Sequence, residues 1–312
     1  ALLKNGSIKC WGQIYAGTLG DGINKHSTIP VLVKGITDAT SISVSDYNVC
    51  AVRSTGKVSC WGYDKRGTIG DGSGNDAKSP VFVTGITNAV SVAVGDGTVC
   101  ALLATGRVSC WGDGGLADLL PSSADPTVPT LISGITTAKQ LSLTKWHACV
   151  TLASSSVKCW GDNTDGQLGN GSTISATTPV TVSSLTGVKA VVTMWNDTCA
   201  LITTGDVKCW GNMHDDRTPV LISEWNDETF TGFDGLYASG VTPCAKKANR
   251  GEFKCWSHFA NVPTSSFTDD VDFSSLFTET ASTVPDKPTI VANACSSVCP
   301  VPGNFGLSLI HI

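Results

Sequence analysis

Apolar and polar residues alternate with period two in short bursts along much of the chain. Examples are Ser41-Ile42-Ser43-Val44-Ser45, Ser91-Val92-Ala93-Val94 and Leu141-Ser142-Leu143-Thr144. Alternation over four to eight residues marks half-buried strands. Each burst is followed by a cysteine-bearing apolar segment such as Cys50-Ala51-Val52, a Thr-Gly turn, and a Val-Ser-Cys-Trp segment. A long Gly-rich loop comes next, then Pro-Val-Leu-Val at 30–33 or Pro-Val-Phe-Val at 80–83. That predicts four short strands per unit, joined in order, with no helical period between them. A leading proline lacks an N–H for the ladder, so the fourth strand is expected at a sheet edge, starting at the proline.

The unit recurs. Cys-Trp-Gly begins at Cys10, Cys60, Cys110, Cys159 and Cys209, and a variant, Cys255-Trp256-Ser257, follows. A second series, Cys50, Cys100, Cys149, Cys199 and Cys244, runs ten or eleven residues ahead of the first. Two series locked at a period near 50 residues point to a radial array of four-stranded blades. A hairpin folded about Thr55-Gly56 sets residue 50 opposite 60 and Val52 opposite Val58. The matching pairs Leu102/Val108, Leu201/Val207 and Leu2/Ile8 are also apolar, so this face is expected to pack on a neighbouring blade. Directly opposed residues lie within disulfide reach. Bridges are therefore predicted for Cys50–Cys60, Cys100–Cys110, Cys149–Cys159, Cys199–Cys209 and Cys244–Cys255. A zinc reading competes, but zinc sites draw on close Cys/His pairs converging on one point, and no histidine repeats here. The same register places the partner of Cys10 one residue before Ala1. Cys295 repeats the offset of Cys10 to Cys50, and Cys299 is left over, with a Cys295–Cys299 bridge as the other reading.

Composition narrows the functional classes. Among 312 residues, 33 are glycine and only 15% are charged, which suits strands and tight turns rather than surface helices. A net charge of −5 offers no electrostatic footprint for nucleic acid or an anionic membrane. No apolar run reaches the roughly 18–20 residues of a membrane-spanning helix. Thirteen cysteines in a regular pattern indicate an oxidising compartment: the extracellular space, the cell surface or a periplasm. No nucleophile elbow, phosphate loop or His-Glu zinc motif is present, so no catalytic residue, metal or cofactor is assigned. Two acidic stretches, from Asp71 to Asp76 and from Asp162 to Gly166, invite a calcium reading. Both lack the full ligand spacing and a terminal glutamate, and turn chemistry accounts for them. Asn5-Gly6-Ser7, Asn170-Gly171-Ser172 and Asn196-Asp197-Thr198 are glycosylation sequons, relevant in a eukaryotic secretory host.

Taken together, Val-Cys-Ala-Leu, Gly-x-Val-x-Cys-Trp-Gly and a following Gly-x-Leu-Gly-x-Gly resemble the regulator of chromosome condensation repeat. The loop motif is read at Gly17–Gly22, Gly67–Gly72 and Gly166–Gly171. The cysteines make the repeat similar to a variant found in secreted and surface proteins of microbes, and the architecture is shared with the β-lactamase inhibitor propellers. The resemblance covers residues 1–260 well and 261–306 loosely. It implies an all-β fold: a β-propeller of four-stranded blades, about six of an expected seven being present. Residues 1–306 would form one propeller domain from a chain truncated at both ends. Residues 307–312 read like a translated sequencing adapter; a natural apolar C-terminus is the other reading. The third copy departs from the loop motif (Asp113-Gly114-Gly115-Leu116-Ala117-Asp118), the fifth loop is short (Asn212 to Asp216), and the sixth hairpin turn is longer (Lys246 to Gly251). Nuclear members exchange guanine nucleotide on a small GTPase, a role that fits poorly with paired cysteines.

Up-and-down connectivity puts the loop between the first and second strands on the same side as the loop after Cys-Trp-Gly. Ahead of the first cysteine the copies read Asp46-Tyr47-Asn48, Asp96-Gly97-Thr98, Lys145-Trp146-His147 and Trp195-Asn196-Asp197. Variation with aromatics inside an otherwise constant repeat is the pattern of a binding surface. Tyr47, Asn48, Trp146, His147, Trp195, Asn196 and Asp197 are therefore the candidate binding residues, although a structural hydrogen-bonding role suits His147 better. The repeated tryptophans are core by position. The expected function is non-enzymatic binding of a protein or glycan by a secreted or surface propeller. A hydrolase or lyase using the central channel, or an exchange-factor-like scaffold, are the alternatives.

Overall fold

The computed structural model describes residues 1–256 apart from 65, 114–118, 121–123, 213–215, 223, 226–227, 230, 240–241 and 249–252. Every element among them is a strand. β1 (Lys9–Gly12) and β2 (Ser27–Leu32) form a two-stranded blade I, preceded by an isolated Leu2–Ile8 bridge. Blade II comprises β3 (Ala39–Val44), β4 (Asn48–Arg53), β5 (Val58–Gly62) and β6 (Ala77–Phe82). Blade III comprises β7 (Ala89–Val94), β8 (Val99–Leu103), β9 (Val108–Trp111) and β10 (Thr130–Leu131). Blade IV comprises β11 (Ala138–Leu143), β12 (His147–Leu152), β13 (Val157–Gly161) and β14 (Ala176–Thr181). Blade V comprises β15 (Val188–Thr193), β16 (Asp197–Ile202), β17 (Val207–Gly211) and β18 (Asp216–Leu221). A small ladder, β19 (Glu224–Trp225) with β20 (Glu228–Thr229), precedes blade VI. Blade VI holds three strands: β21 (Phe233–Ser239), β22 (Thr242–Lys247) and β23 (Phe253–Cys255). The chain is thus a β-propeller built from four-stranded antiparallel blades, four of them complete among the described residues. Cys295, Cys299, the 307–312 tail, residues 114–118 of the third loop and residues 249–251 of the sixth hairpin turn lie outside those residues.

The first strands of successive blades, β3, β7, β11, β15 and β21, pack against one another as the inner ring. Side chains stitch them laterally. Gln140 donates from Nε2 to Val191 O at 3.0 Å and accepts from the Val191 N–H at 2.9 Å. The Thr193 N–H donates to Ser142 Oγ, and the Val94 N–H to Ser43 Oγ. Buried amides next to a neighbouring blade are satisfied in this way without a shared backbone ladder.

The central hairpins pair in the expected register, with Cys50 opposite Cys60, Ala51 opposite Ser59 and Val52 opposite Val58. The Arg53 N–H donates to Lys57 O, and Gly56 occupies φ 78°, as a three-residue turn ending in glycine requires. Alternation from that bonded pair makes 50/60 a non-hydrogen-bonded pair, where side chains approach closest. All five bridges form, with Cα atoms 4.0–4.1 Å apart. Each closes a loop of about ten residues, worth at most roughly 2.5–3 kcal/mol by chain entropy. Among the described residues Cys10 is free, and Leu2–Ile8 pairing with Lys9 N–H to Ala1 O sets it one place beyond Ala1.

Two structural expectations need correction. The outermost strands begin three residues before the proline in blades I and II, at Ser27 and Ala77. Pro80 falls where the register slips between Cys60–Val81 and Gly62–Ala77, a bulge in which no N–H is required. Five of the six repeated tryptophans are buried, but Trp11 is only half-buried.

Candidate binding face

The loop after each Cys-Trp-Gly is a clasp between blades. Trp61 Nε1 donates to Thr18 O at 3.0 Å, Trp111 Nε1 to Thr68 O at 2.9 Å and Trp210 Nε1 to Gln167 O at 2.9 Å. In each case the carbonyl belongs to the preceding blade's loop, 43 residues back. The loop ahead of Trp160 lies partly outside the described residues. Trp11, in the two-stranded blade I, is half-buried. The loop glycines follow from the same contact. A Cβ at Gly20, Gly70 or Gly169 would lie 2.5–2.6 Å from the indole nitrogen of the next blade. The apolar residue between them, Leu19, Ile69 or Leu168, is buried. The Cys-Trp-Gly glycine is equally constrained: a Cβ at Gly62 would sit 2.2 Å from Tyr47 O.

With these positions committed to structure, the variable residues stand out. The Tyr63 N–H donates to Tyr47 O, so the two loop types do emerge on one side. In blades II, IV and V the last residue of the triplet begins the second strand opposite the Cys-Trp-Gly glycine: Asn48 with Gly62, His147 with Gly161, Asp197 with Gly211. That pairing turns the column inward. Asn48 is buried and its Nδ2 donates to Tyr63 O. His147 is fully buried. Both are thereby withdrawn from the accessible face, and Asp197 is half-buried in the same column.

His147 links blades IV and V. The Thr198 hydroxyl donates to Gln167 O, so His147 Nε2 carries the proton and donates to Thr198 Oγ1 at 2.8 Å. Burial pushes the imidazole pKa down to about 3, the Asp162 carboxylate opposing only in part. It is neutral and structural at any physiological pH.

At the first two positions of the triplets, Gly97 is buried, Asp46, Tyr47, Asp96, Lys145, Trp146 and Asn196 are half-buried, and Trp195 is exposed. Tyr47 joins Tyr15 and Tyr63 in an aromatic cluster with ring centroids 5.1, 5.3 and 6.1 Å apart. Tyr15 is 51% exposed. Tyr15 and Tyr63 were not candidates from the sequence, although both follow Cys-Trp-Gly in loops that connectivity assigns to this face. Further round, Lys145 pairs with Asp96 of blade III at 2.9 Å and lies 4.9 Å over the half-buried Trp146 ring. Trp195 is 42% exposed, and Asn196 beside it donates from Nδ2 to Asp165 at 2.7 Å. Aromatic rings thus stand on this face in blades I, II, IV and V.

Among the described residues no group of three or more His, Cys, Asp or Glu side chains converges in metal-binding geometry. The inner strands of blades II–V carry no carboxylate or histidine. No described helix is long and apolar enough to cross a membrane.

Comparison with known proteins agrees with this architecture. Family models described as the Regulator of chromosome condensation (RCC1) repeat match residues 39–68, 89–116, 138–167 and 156–195. No curated protein matches the sequence. The structure of Prp20p from Saccharomyces cerevisiae, studied for its binding to Gsp1p and histones, is similar with a TM-score of 0.68 and 19% identity over 82% of this chain and 67% of that one. The same yeast protein in complex with Kap60 gives 0.65 at 19% identity, this chain spanning 65% of its length. Human WBSCR16 gives 0.66 at 16% identity, over 80% of this chain and 71% of that one.

Proposed function

We propose that this chain, which belongs to the regulator of chromosome condensation repeat family, is a non-catalytic protein-binding propeller acting outside the reducing cytosol. The observation that carries this is the division of labour on one face. The repeat-invariant loop residues are consumed in clasping the next blade, whereas the other positions vary and carry Tyr15, Tyr47, Tyr63, Trp146 and Trp195. Tyrosine and tryptophan offer large, rigid contact area with little entropy to lose, as binding hot spots require. Five bridged hairpins fit an oxidising compartment and disfavour the nuclear exchange role. Structural neighbours whose known partners are proteins favour a protein over a glycan.

The test is capture from a surface and secreted fraction with the wild-type chain and with a Tyr47→Ala/Trp195→Ala variant, alongside a glycan array. The reading requires a protein enriched by the wild type and lost with the variant. Enrichment unchanged by the double substitution would refute this face, and binding to the array alone would make the ligand a glycan.

A further inference from the structure

We propose that the loop following β5 binds one hard divalent cation through Asp64 Oδ2, the Asp71 carboxylate and the carbonyl oxygens of Ser73 and Asn75. The loop has a counterpart after β13, where Asn163 stands in place of Asp64.

The two loops share their hydrogen bonds position by position. The Ile69 N–H donates to Asp64 Oδ1 at 2.7 Å, as the Leu168 N–H does to Asn163 Oδ1 at 2.9 Å. The Asp64 N–H donates to Asp76 Oδ1, as the Asn163 N–H does to Ser175 Oγ. The Ser73 N–H caps onto Asp71 as the Ser172 N–H does onto Asn170, and the Asn75 N–H onto Ser73 Oγ as the Ile174 N–H onto Ser172 Oγ. With Oδ1 and the backbone held alike, the second terminal atom of residue 64 points where that of residue 163 points. Asn163 uses that atom, Nδ2, to donate to Ser172 O at 2.9 Å, Ile174 O at 3.1 Å and Asn170 Oδ1 at 3.3 Å. The equivalents around Asp64 are Ser73 O, Asn75 O and Asp71, all acceptors.

Asp64 therefore aims a carboxylate oxygen at a nest of oxygens. The residue is 1% exposed, and Oδ2 has no hydrogen-bond partner. A buried acceptor facing only acceptors is costly unless something positive lies between them. A proton would satisfy one contact of the three that the amide makes. A cation satisfies all of them together, and two carboxylates with Asp76 alongside supply the charge a divalent ion needs. The donor set is wholly oxygen, which selects calcium-like ions over zinc or copper. Side-chain ligands alone do not suffice, consistent with the absence of a three-residue His/Cys/Asp/Glu cluster among the described residues, so the carbonyls are essential. Ca2+–O distances of roughly 2.3–2.6 Å are shorter than the amide contacts, so the solvent-facing 71–75 loop must draw inward on binding.

The experiment is calorimetric titration of CaCl2 into chelator-stripped protein at pH 7.5, with thermal melts in Ca2+ and in EGTA. One site per chain is expected, with a rise in Tm of roughly 5 °C at Ca2+ a hundred-fold above its dissociation constant. Asp64→Asn restores the amide present in the sister loop, so it should fold and lose both the heat and the Tm shift. Asp71→Asn should weaken binding by roughly tenfold or more. Absence of Ca2+ heat and of any Ca2+-dependent Tm shift in the wild type, or an identical response in Asp64→Asn, would overturn the proposal.

Discussion

Replacing Gly70 with alanine isolates the steric logic of the clasp loop, because Gly74 in the same loop provides a matched control. Both glycines have positive φ, 74° and 67°. Alanine in that region costs roughly 1–2 kcal/mol from backbone sterics alone. At Gly74 that is the whole cost, since a Cβ meets no atom within 4 Å. At Gly70 the Cβ would stand 2.6 Å from Trp111 Nε1. Trp111 is fully buried and holds Thr68 O at 2.9 Å, so the indole cannot retreat without lengthening that bond. Overpacking adds roughly 1–3 kcal/mol, and loss of a buried hydrogen bond a similar amount. Gly70→Ala should therefore destabilise by about 3–8 kcal/mol and exceed Gly74→Ala by about 2–6 kcal/mol. Urea unfolding in chelator-treated buffer, followed by tryptophan fluorescence, gives both values from the shift in midpoint. Equal costs for the two substitutions would refute the claim that the glycine exists to admit the neighbouring tryptophan.

Other positions give sharper, smaller effects. Ser155 takes φ 59° where the equivalent hairpin positions hold Gly56 and Gly106, so Ser155→Gly should stabilise by about 0.5–1 kcal/mol, read as a raised Tm. Because burial lowers the His147 pKa to about 3, the neutral ring contributes stability above the unfolded-state value near 6.5 that is lost as pH falls toward 3. His147→Gln should remove about 3–5 kcal/mol of that acid sensitivity while changing little at pH 7; an unchanged difference between the two proteins from pH 7 to 4 would contradict it. Replacing Cys100 and Cys110 together with serine should cost about 2–3 kcal/mol without loosening neighbouring blades, and hydrogen exchange would show protection lost in blade III alone.

The sequence alone determined what is local. Disulfide pairing, hairpin register and strand order depend on contacts within a single repeat, the bridged cysteines lying ten or eleven residues apart; the observed Cys50–Cys60 bridge follows from Thr55-Gly56 and alternation alone. The repeat likewise made the burial of Trp61, Trp111, Trp160 and Trp210 legible. The tertiary structure decided everything that passes between blades. Gly70 reads as a turn residue until Trp111, far along the chain, is seen to occupy its missing Cβ. Asn48 reads as a variable loop residue, yet strand pairing turns it inward, while Tyr15 and Tyr63 gather beside Tyr47 from separate loops. Asp64 is an unremarkable acid in the sequence, twelve residues from Asp76, and acquires meaning only when folding seals its carboxylate among oxygens. The physical reason is the same in each case. Period-two alternation reports which face of a strand is buried, but not which atoms of the next blade it is buried against.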